Sequence, residues 1–454
     1  MSCTITTVFI VKTEKEKNIF NDVRLRLKEK IFDEPNWYPK LSHSIHDFGG
    51  YAYLLNNNRE VDDAVKLMAV PSNVQFDEEY LKTITAEINS SELSINNSLL
   101  WYVYVSDKPL QNQGNDNFYR YSIIFRFHHA VGDGTSLVAL LIRLLGTESS
   151  QNYNEKLFKK LFAGKNSEPG KNRTYKYYLL NMFKFIQFWF TVIFISIGRF
   201  QNKNLLEPAD KNALHSSKLS GKKTVAWGTE DYPECLNMVK NVKNRLPNAT
   251  FSIVVATAIS NSMTSFFKRN SLPVPDFTTG LMIILLKFPD TVPSKQVRLE
   301  NKATTLLLDL PSTHKSESLL SALKNVTMQM ESQLSYADAL VVRFAAAELF
   351  GYLPINLGNE IVGFNKQTFI LTNVPGGSVI KIFDGCVVEK VIPIAPNLRH
   401  AAVSFALLTY DDRFQIGLLV DKALVNSQDE AKKIVDDILE SIKVLDKESQ
   451  LLLD

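Results

Sequence analysis

Two adjacent histidines carry the chemistry most readily read from this chain. Residues 127–136 run Phe-His-His-Ala-Val-Gly-Asp-Gly-Thr-Ser, so Asp133 follows His129 by four residues and Gly134 comes next. An imidazole titrates near neutrality and can take a proton from a hydroxyl and return it to a leaving group. The plainer reading makes His128 and His129 polar residues closing a strand, with Asp133 only a helix cap. The elements on either side decide where the pair sits. Tyr121, Ile123, Phe125 and Phe127 alternate with Arg120, Ser122, Ile124 and Arg126, the period of a strand with one face on a core. Leu137, Leu140, Leu141, Leu144 and Leu145 then recur at helical spacing up to a stop at Gly146. The histidines therefore stand at a strand end, in a sharp turn that Gly132 and Gly134 permit and that Asp133 or Thr135 closes as a cap.

Composition narrows the class. A chain of 454 residues suits two domains of roughly 200 residues each, and 45% hydrophobic content fills both cores. The net charge of +3 is spread without long like-charge runs, which argues against nucleic acid as a partner. Cys3, Cys235 and Cys386 stand far apart, without CxxC or a histidine at ligand spacing. Neither a disulfide framework nor a metal site is expected, and a reducing compartment fits. The first residues lack a basic region and a long apolar run, so no cleavable signal peptide is expected.

Between the halves lies an unusual segment. From Tyr177 to Gly198 the only charged residue is Lys184, and residues 185–198 carry none. Lys171, Arg173 and Lys176 flank it on one side, Arg199 and Lys203 on the other. Aromatic and β-branched bulk on every face is uncommon in a soluble core helix. The whole run approaches the about 20 apolar residues that span a bilayer. A single crossing would put the two halves of one site on opposite sides of the membrane, so an interfacial or re-entrant placement is the consistent one.

Several further stretches read as elements: a strand at 224–227, helices at 232–245 and 250–267, a strand at 281–286, a patterned strand at 301–310 and an amphipathic helix at 316–334. Near the end come a strand running into Thr372-Asn-Val-Pro-Gly-Gly377, a strand at 387–395, a hairpin at 402–421 and a helix at 430–445.

The spacing His-His-x-x-x-Asp-Gly between a strand and a helix resembles the signature of acyltransferases built like chloramphenicol acetyltransferase. The Thr-Asn-Val-Pro-Gly stretch, with Leu93, Leu99 and Trp101 ahead of the histidines, is similar to the wax ester synthase/diacylglycerol acyltransferase (WSD-like) branch. The resemblance covers most of residues 35–450. It implies an α/β fold of two chloramphenicol acetyltransferase-like lobes, mixed sheets with helices, and an active-site channel between them. The division expected is an N-terminal lobe at 1–165, the apolar membrane-associating segment at 166–205 and a C-terminal lobe at 206–454.

The resemblance also implies a function: transfer of a fatty acyl group from acyl-CoA to a long-chain alcohol or diacylglycerol. His129 would act as general base beside His128, and Asp133 would be structural, held by a basic partner such as Lys287 or Arg298. Gly134, Thr372, Asn373 and Gly376 are candidates on the substrate side, the last three for the oxyanion. The family places an Asn-Asp pair where this sequence has Ser252-Ile253, and Ser252 keeps a hydroxyl. Trp37 and Tyr38 line an acceptor pocket or belong to the core. Acyl-CoA would be a co-substrate, with no cofactor and no metal. The expected location is a membrane or lipid-droplet surface, at the endoplasmic reticulum or plasma membrane with the lobes on the cytosolic side. Two alternatives stay open: a non-enzymatic lipid-binding member of the fold, and transfer to an amine or small alcohol.

Overall fold

A computed structural model describes residues 3–56, 59–93, 99–111, 117–162, 212–216, 218–228, 233–285, 297–313, 318–335, 354, 367–383, 385–398 and 401–451. The apolar run at 177–198, the segment assigned to 166–205 and Lys287 lie outside them. No helix among the described residues is long and apolar enough to cross a membrane.

In chain order the strands are β1 (Thr4–Thr13), β2 (His43–Phe48), β3 (Tyr51–Asn56), β4 (Val65–Met68), β5 (Trp101–Ser106), β6 (Tyr119–His128), β7 (Lys223–Trp227), β8 (Phe277–Leu285), β9 (Ala303–Pro311), β10 (Phe369–Gly377), β11 (Ile380–Ile382), β12 (Cys386–Ile394), β13 (Val403–Tyr410) and β14 (Arg413–Asp421). The longer helices are α1 (Ile19–Leu27), α2 (Glu78–Ser90), α3 (Gly134–Leu145), α4 (Glu148–Phe162), α5 (Pro233–Arg245), α6 (Phe251–Arg269), α7 (Leu319–Ser335) and α8 (Gln428–Gln450). One six-stranded sheet has the order β11-β12-β1-β6-β5-β4, a second the order β7-β14-β13-β10-β8-β9, and β2 pairs with β3 alone.

Two strands of the second half therefore complete the first sheet. The division at 206 assigned them to the C-terminal lobe, but β12 runs antiparallel to β1, from Thr6 opposite Ile394 to Thr13 opposite Cys386. Hydrogen bonding, not chain order, sets sheet membership. β1 itself had been read only as a short apolar run, yet it is the strand between β12 and β6.

β6 was expected to show one core face, and both faces are buried. Phe125 and Phe127 pack with Leu137 and Leu140 of α3, while Ile124 joins Trp227 and Ile394 in a second cluster behind the sheet. Its two arginines are accommodated by bonding. Arg120 holds Glu389 through two nitrogens at 2.7 and 3.1 Å, and Arg126, 1% exposed, donates to Ser91 Oγ at 2.9 Å. The second sheet packs on α6 and α8. Ser262 Oγ donates to Ile434 O at 2.7 Å, the close approach expected of a helix rich in small residues. The sheets meet backbone to backbone at Gly417, where an added Cβ would lie 1.8 Å from Pro393 O.

Candidate active site

β6 delivers the histidines by its pairing: His128 lies opposite Thr4, and His129 N donates to Cys3 O at 2.8 Å just past the last pair. The chain then turns, with Val131 N donating to His128 O at 3.0 Å, and α3 begins. Asp133 caps it. Its Oδ1 accepts from Ser136 N at 2.9 Å and from Thr135 Oγ1 at 2.8 Å, and its Oδ2 accepts from Lys302 N at 2.8 Å. Among the described residues these neutral donors hold it, and Lys287, one of the two expected basic partners, lies outside them. Arg298 is exposed, whereas Asp133 is buried at a helix N-terminus, where amide dipoles favour an anion.

The strip from Leu299 to Lys302, leading into β9, clasps this turn. Lys40 Nζ donates to Leu299 O at 2.7 Å and reaches Val131 O at 3.4 Å. Glu300 O accepts from Asp133 N at 3.1 Å and from Ser136 Oγ at 2.9 Å. Asn301 Nδ2 donates to His129 O at 3.0 Å, and Asn301 Oδ1 lies 3.0 Å from His129 Nδ1. Neither Lys40 nor Asn301 was singled out from the sequence. Asn301 stands 172 positions from its partner, and nothing local marks it.

The two imidazoles differ. Burial lowers the pKa of His129 below the ordinary histidine value, with the Asp133 charge and the Asn301 bond pulling the other way. His128 is pushed down to about 4, first by burial and then by the charges of His129 and Arg126. Its Nδ1 is already used, accepting from Ala130 N at 3.1 Å.

His129 lines a cavity of about 140 Å³ between the two sheets. Asp133, Gly134, Thr372 and Asn373 line it too, so five of the eight candidate site residues are brought together there. Ile5, Thr7 and Pro393 come from the first sheet; Ile283, Ile370 and Ala406 come from the second. His128 and Gly376 are not among the lining residues. At Gly376 an added Cβ would lie 2.4 Å from Leu408 Cδ2, so the residue serves close strand packing. The expected loop at 372–377 is the continuation of β10, parallel to β13 with an irregularity between Pro375 and Gly377. Tyr38 is 3% exposed in the core and Trp37 packs against that core; neither lines the cavity. Cys3, which has no histidine near it in sequence, shares the cavity with His129, and burial pushes its thiol up to about 12. Among the described residues no group of three or more His, Cys, Asp or Glu is placed to hold a metal ion.

Residues 299–446 match the WS/DGAT C-terminal domain family. Over that stretch the chain is similar to the wax ester synthase/diacylglycerol acyltransferase family. Its α/β fold is the two-lobed, chloramphenicol acetyltransferase-like one. Three solved structures share it. A wax ester synthase/diacylglycerol acyltransferase from Marinobacter aquaeolei VT8 is 13% identical, with 99% of this chain and 95% of that one covered and a TM-score of 0.62. A trichothecene 15-O-acetyltransferase from Fusarium sporotrichioides is 13% identical, with coverage of 97% and 91% and a TM-score of 0.60. The first condensation domain of the calcium-dependent antibiotic synthetase is 11% identical, with coverage of 100% and 92% and a TM-score of 0.59. No curated protein matches in sequence. In this wax ester synthase-like chain, Ser252 lies one layer behind the cavity: its Oγ accepts from Asn373 Nδ2 at 3.2 Å. The serine that replaces an expected Asn-Asp pair thus supports a cavity residue.

Proposed function

We propose that this chain is an acyl-CoA-dependent O-acyltransferase that moves a fatty acyl group onto a lipid alcohol, with His129 as general base. The observation that carries the reading is the placement of His129 on the wall of an apolar cavity shared by both sheets, with its Nδ1 engaged by Asn301 Oδ1. Nε2 takes the hydroxyl proton as the alcohol oxygen attacks the thioester carbonyl. When the tetrahedral intermediate collapses, the carbon–sulfur bond breaks and the imidazolium returns the proton to the departing thiolate. General-base help of this kind contributes typically about 10²–10⁴ in rate. A lowered pKa keeps His129 neutral, and so able to accept a proton, at physiological pH.

Thr372 and Asn373 line the cavity and are the donors proposed for the oxyanion. Asp133 shapes the turn. No cysteine nucleophile enters, because a thiol held up at about 12 supplies almost no thiolate near pH 7. The largely apolar lining suits an acyl chain, and the aromatic run at 177–198 is the proposed membrane contact through which greasy substrates arrive.

Microsomes containing the full chain, supplied with labelled palmitoyl-CoA and either hexadecanol or diacylglycerol, are expected to form ester. Folded protein that forms none with either acceptor would sink this reading. Label appearing instead on an amine or a short alcohol would move it to another acceptor class.

A further inference from the structure

We propose that Asn301 is a positioning residue for His129: its amide grips the histidine at two points and holds the ring proton on Nδ1, leaving Nε2 as the acceptor. The inference rests on the reading of His129 as the base. Asn301 Nδ2 donates to His129 O at 3.0 Å, and a carbonyl can only accept, so the nitrogen end of the amide is committed. The oxygen end then faces His129 Nδ1 at 3.0 Å, and an oxygen there requires N–H on the ring. One side chain thus sets both the backbone path at position 129 and the tautomer of its ring.

His129's own backbone carbonyl also engages the ring, and among the described residues Asn301 is the side chain that joins it there. Asp133, the nearest carboxylate in sequence, has its oxygens engaged by Thr135 Oγ1, Ser136 N and Lys302 N. Lys40 Nζ is spent on the carbonyls of Leu299, Ala130 and Val131. Glu300 and Lys302, on either side of Asn301, form an ion pair with each other. Arg126 on β6 turns to Ser91, and Cys3 beside β1 meets the histidine through its carbonyl. His128 is occupied by Ala130 N. Asn301 is itself exposed, so it covers the solvent side of the ring. There a neutral amide orients the imidazole and, carrying no charge, raises its pKa less than a carboxylate in the same place would. The strip 299–302 also enters from the second sheet, so docking of the two halves is what completes the base.

The test uses the full chain labelled with [¹⁵N]histidine, in which the His129 signals are those lost in His129→Gln. Long-range ¹H–¹⁵N spectra of the wild type are expected to show the Nδ1–H tautomer, titrating below pH 6.5. Asn301→Ala is expected to mix the tautomers and to lower kcat roughly tenfold, with KM changed less than about threefold. Asn301→Asp, which keeps the shape but brings a negative charge, is expected to move the acid limb of the pH–rate profile upward by about one unit. A merely structural role would lower activity in both variants with the limb fixed. Folded Asn301→Ala or Asn301→Asp with the wild-type tautomer and titration would overturn the inference. If the wild type forms no ester the proposed reaction fails, while the tautomer measurement still decides the role of Asn301.

Discussion

Two motifs face each other across the cavity, and they work differently. The turn at 128–136 exposes a titratable ring and is held by hydrogen bonds that cross the molecule: Cys3 O, Lys302 N, Glu300 O and the Asn301 amide. The Thr372–Gly377 stretch is strand, paired to β13 with an irregularity between Pro375 and Gly377, and β10 pairs with β8 over Phe369–Thr372. The β13 ladder absorbs the backbone groups on that edge, and the side chains of Thr372 and Asn373 face the cavity. One wall carries the proposed proton chemistry on a turn held by distant partners; the other is strand that shapes the space. Changes on the first wall should therefore cost rate, and changes on the second should cost less and act through binding.

The sharpest way to break that contrast is His129→Ala, for which a loss of about 10²–10⁴ in kcat is expected with thermal unfolding nearly unchanged. Turnover within tenfold of the wild type would show that the turn is not the chemical wall. Asp133→Asn comes next. It keeps an acceptor for the helix cap but turns an N–H toward Lys302 N, leaving a buried donor unsatisfied at a cost of about 1–3 kcal/mol. Both the melting temperature and kcat should fall, and an unchanged melting temperature would contradict the cap-and-clasp role.

The pH dependence of stability gives a third probe. Above pH 6.5, His128 is neutral in folded and unfolded chains alike. As the pH falls from 6.5 to about 4 the unfolded chain takes up a proton that the folded one refuses, so stability drops across that window and levels off below it. His128→Gln should flatten this part of the curve, measured by urea unfolding at a series of pH values; an identical slope would remove the assignment.

On the opposite wall, Ser252→Ala removes the hydroxyl that accepts from Asn373 Nδ2. A loss of about 1 kcal/mol in kcat/KM is expected, carried mainly by KM. A hundredfold loss of kcat would make that wall chemical after all. Smallest of all, Cys3→Ser should stay within about threefold of wild-type turnover, because a thiol so far from ionisation contributes no thiolate nucleophile. Complete inactivation would point to an acyl-enzyme route.

Much of this arrangement was legible because it is local. The helix begun by Asp133, the strand ending at His128, α6 after Thr250 and the closing hairpin all show their period, caps or turns within a dozen residues. What escaped notice was set by distant partners. β1 looked like a short apolar run until β6 and β12 closed on both its edges. β6 looked one-sided because Arg120 and Arg126 are polar, and partners distant in sequence, among them Glu389 and Ser91, accommodate their burial. The backbone amides and hydroxyl that hold Asp133 include Lys302 N, 169 positions away, which no local pattern marks.

From the sequence alone came the strand–turn–helix that presents two histidines and an aspartate, because hydrophobic periodicity and cap chemistry act over a few residues. Which histidine lines the cavity, which groups hold the aspartate, and that Asn301 and Ser252 stand behind the cavity walls were decided by tertiary structure. Those outcomes depend on hydrogen-bond partners more than a hundred positions away, brought within 3.2 Å only when the two sheets dock.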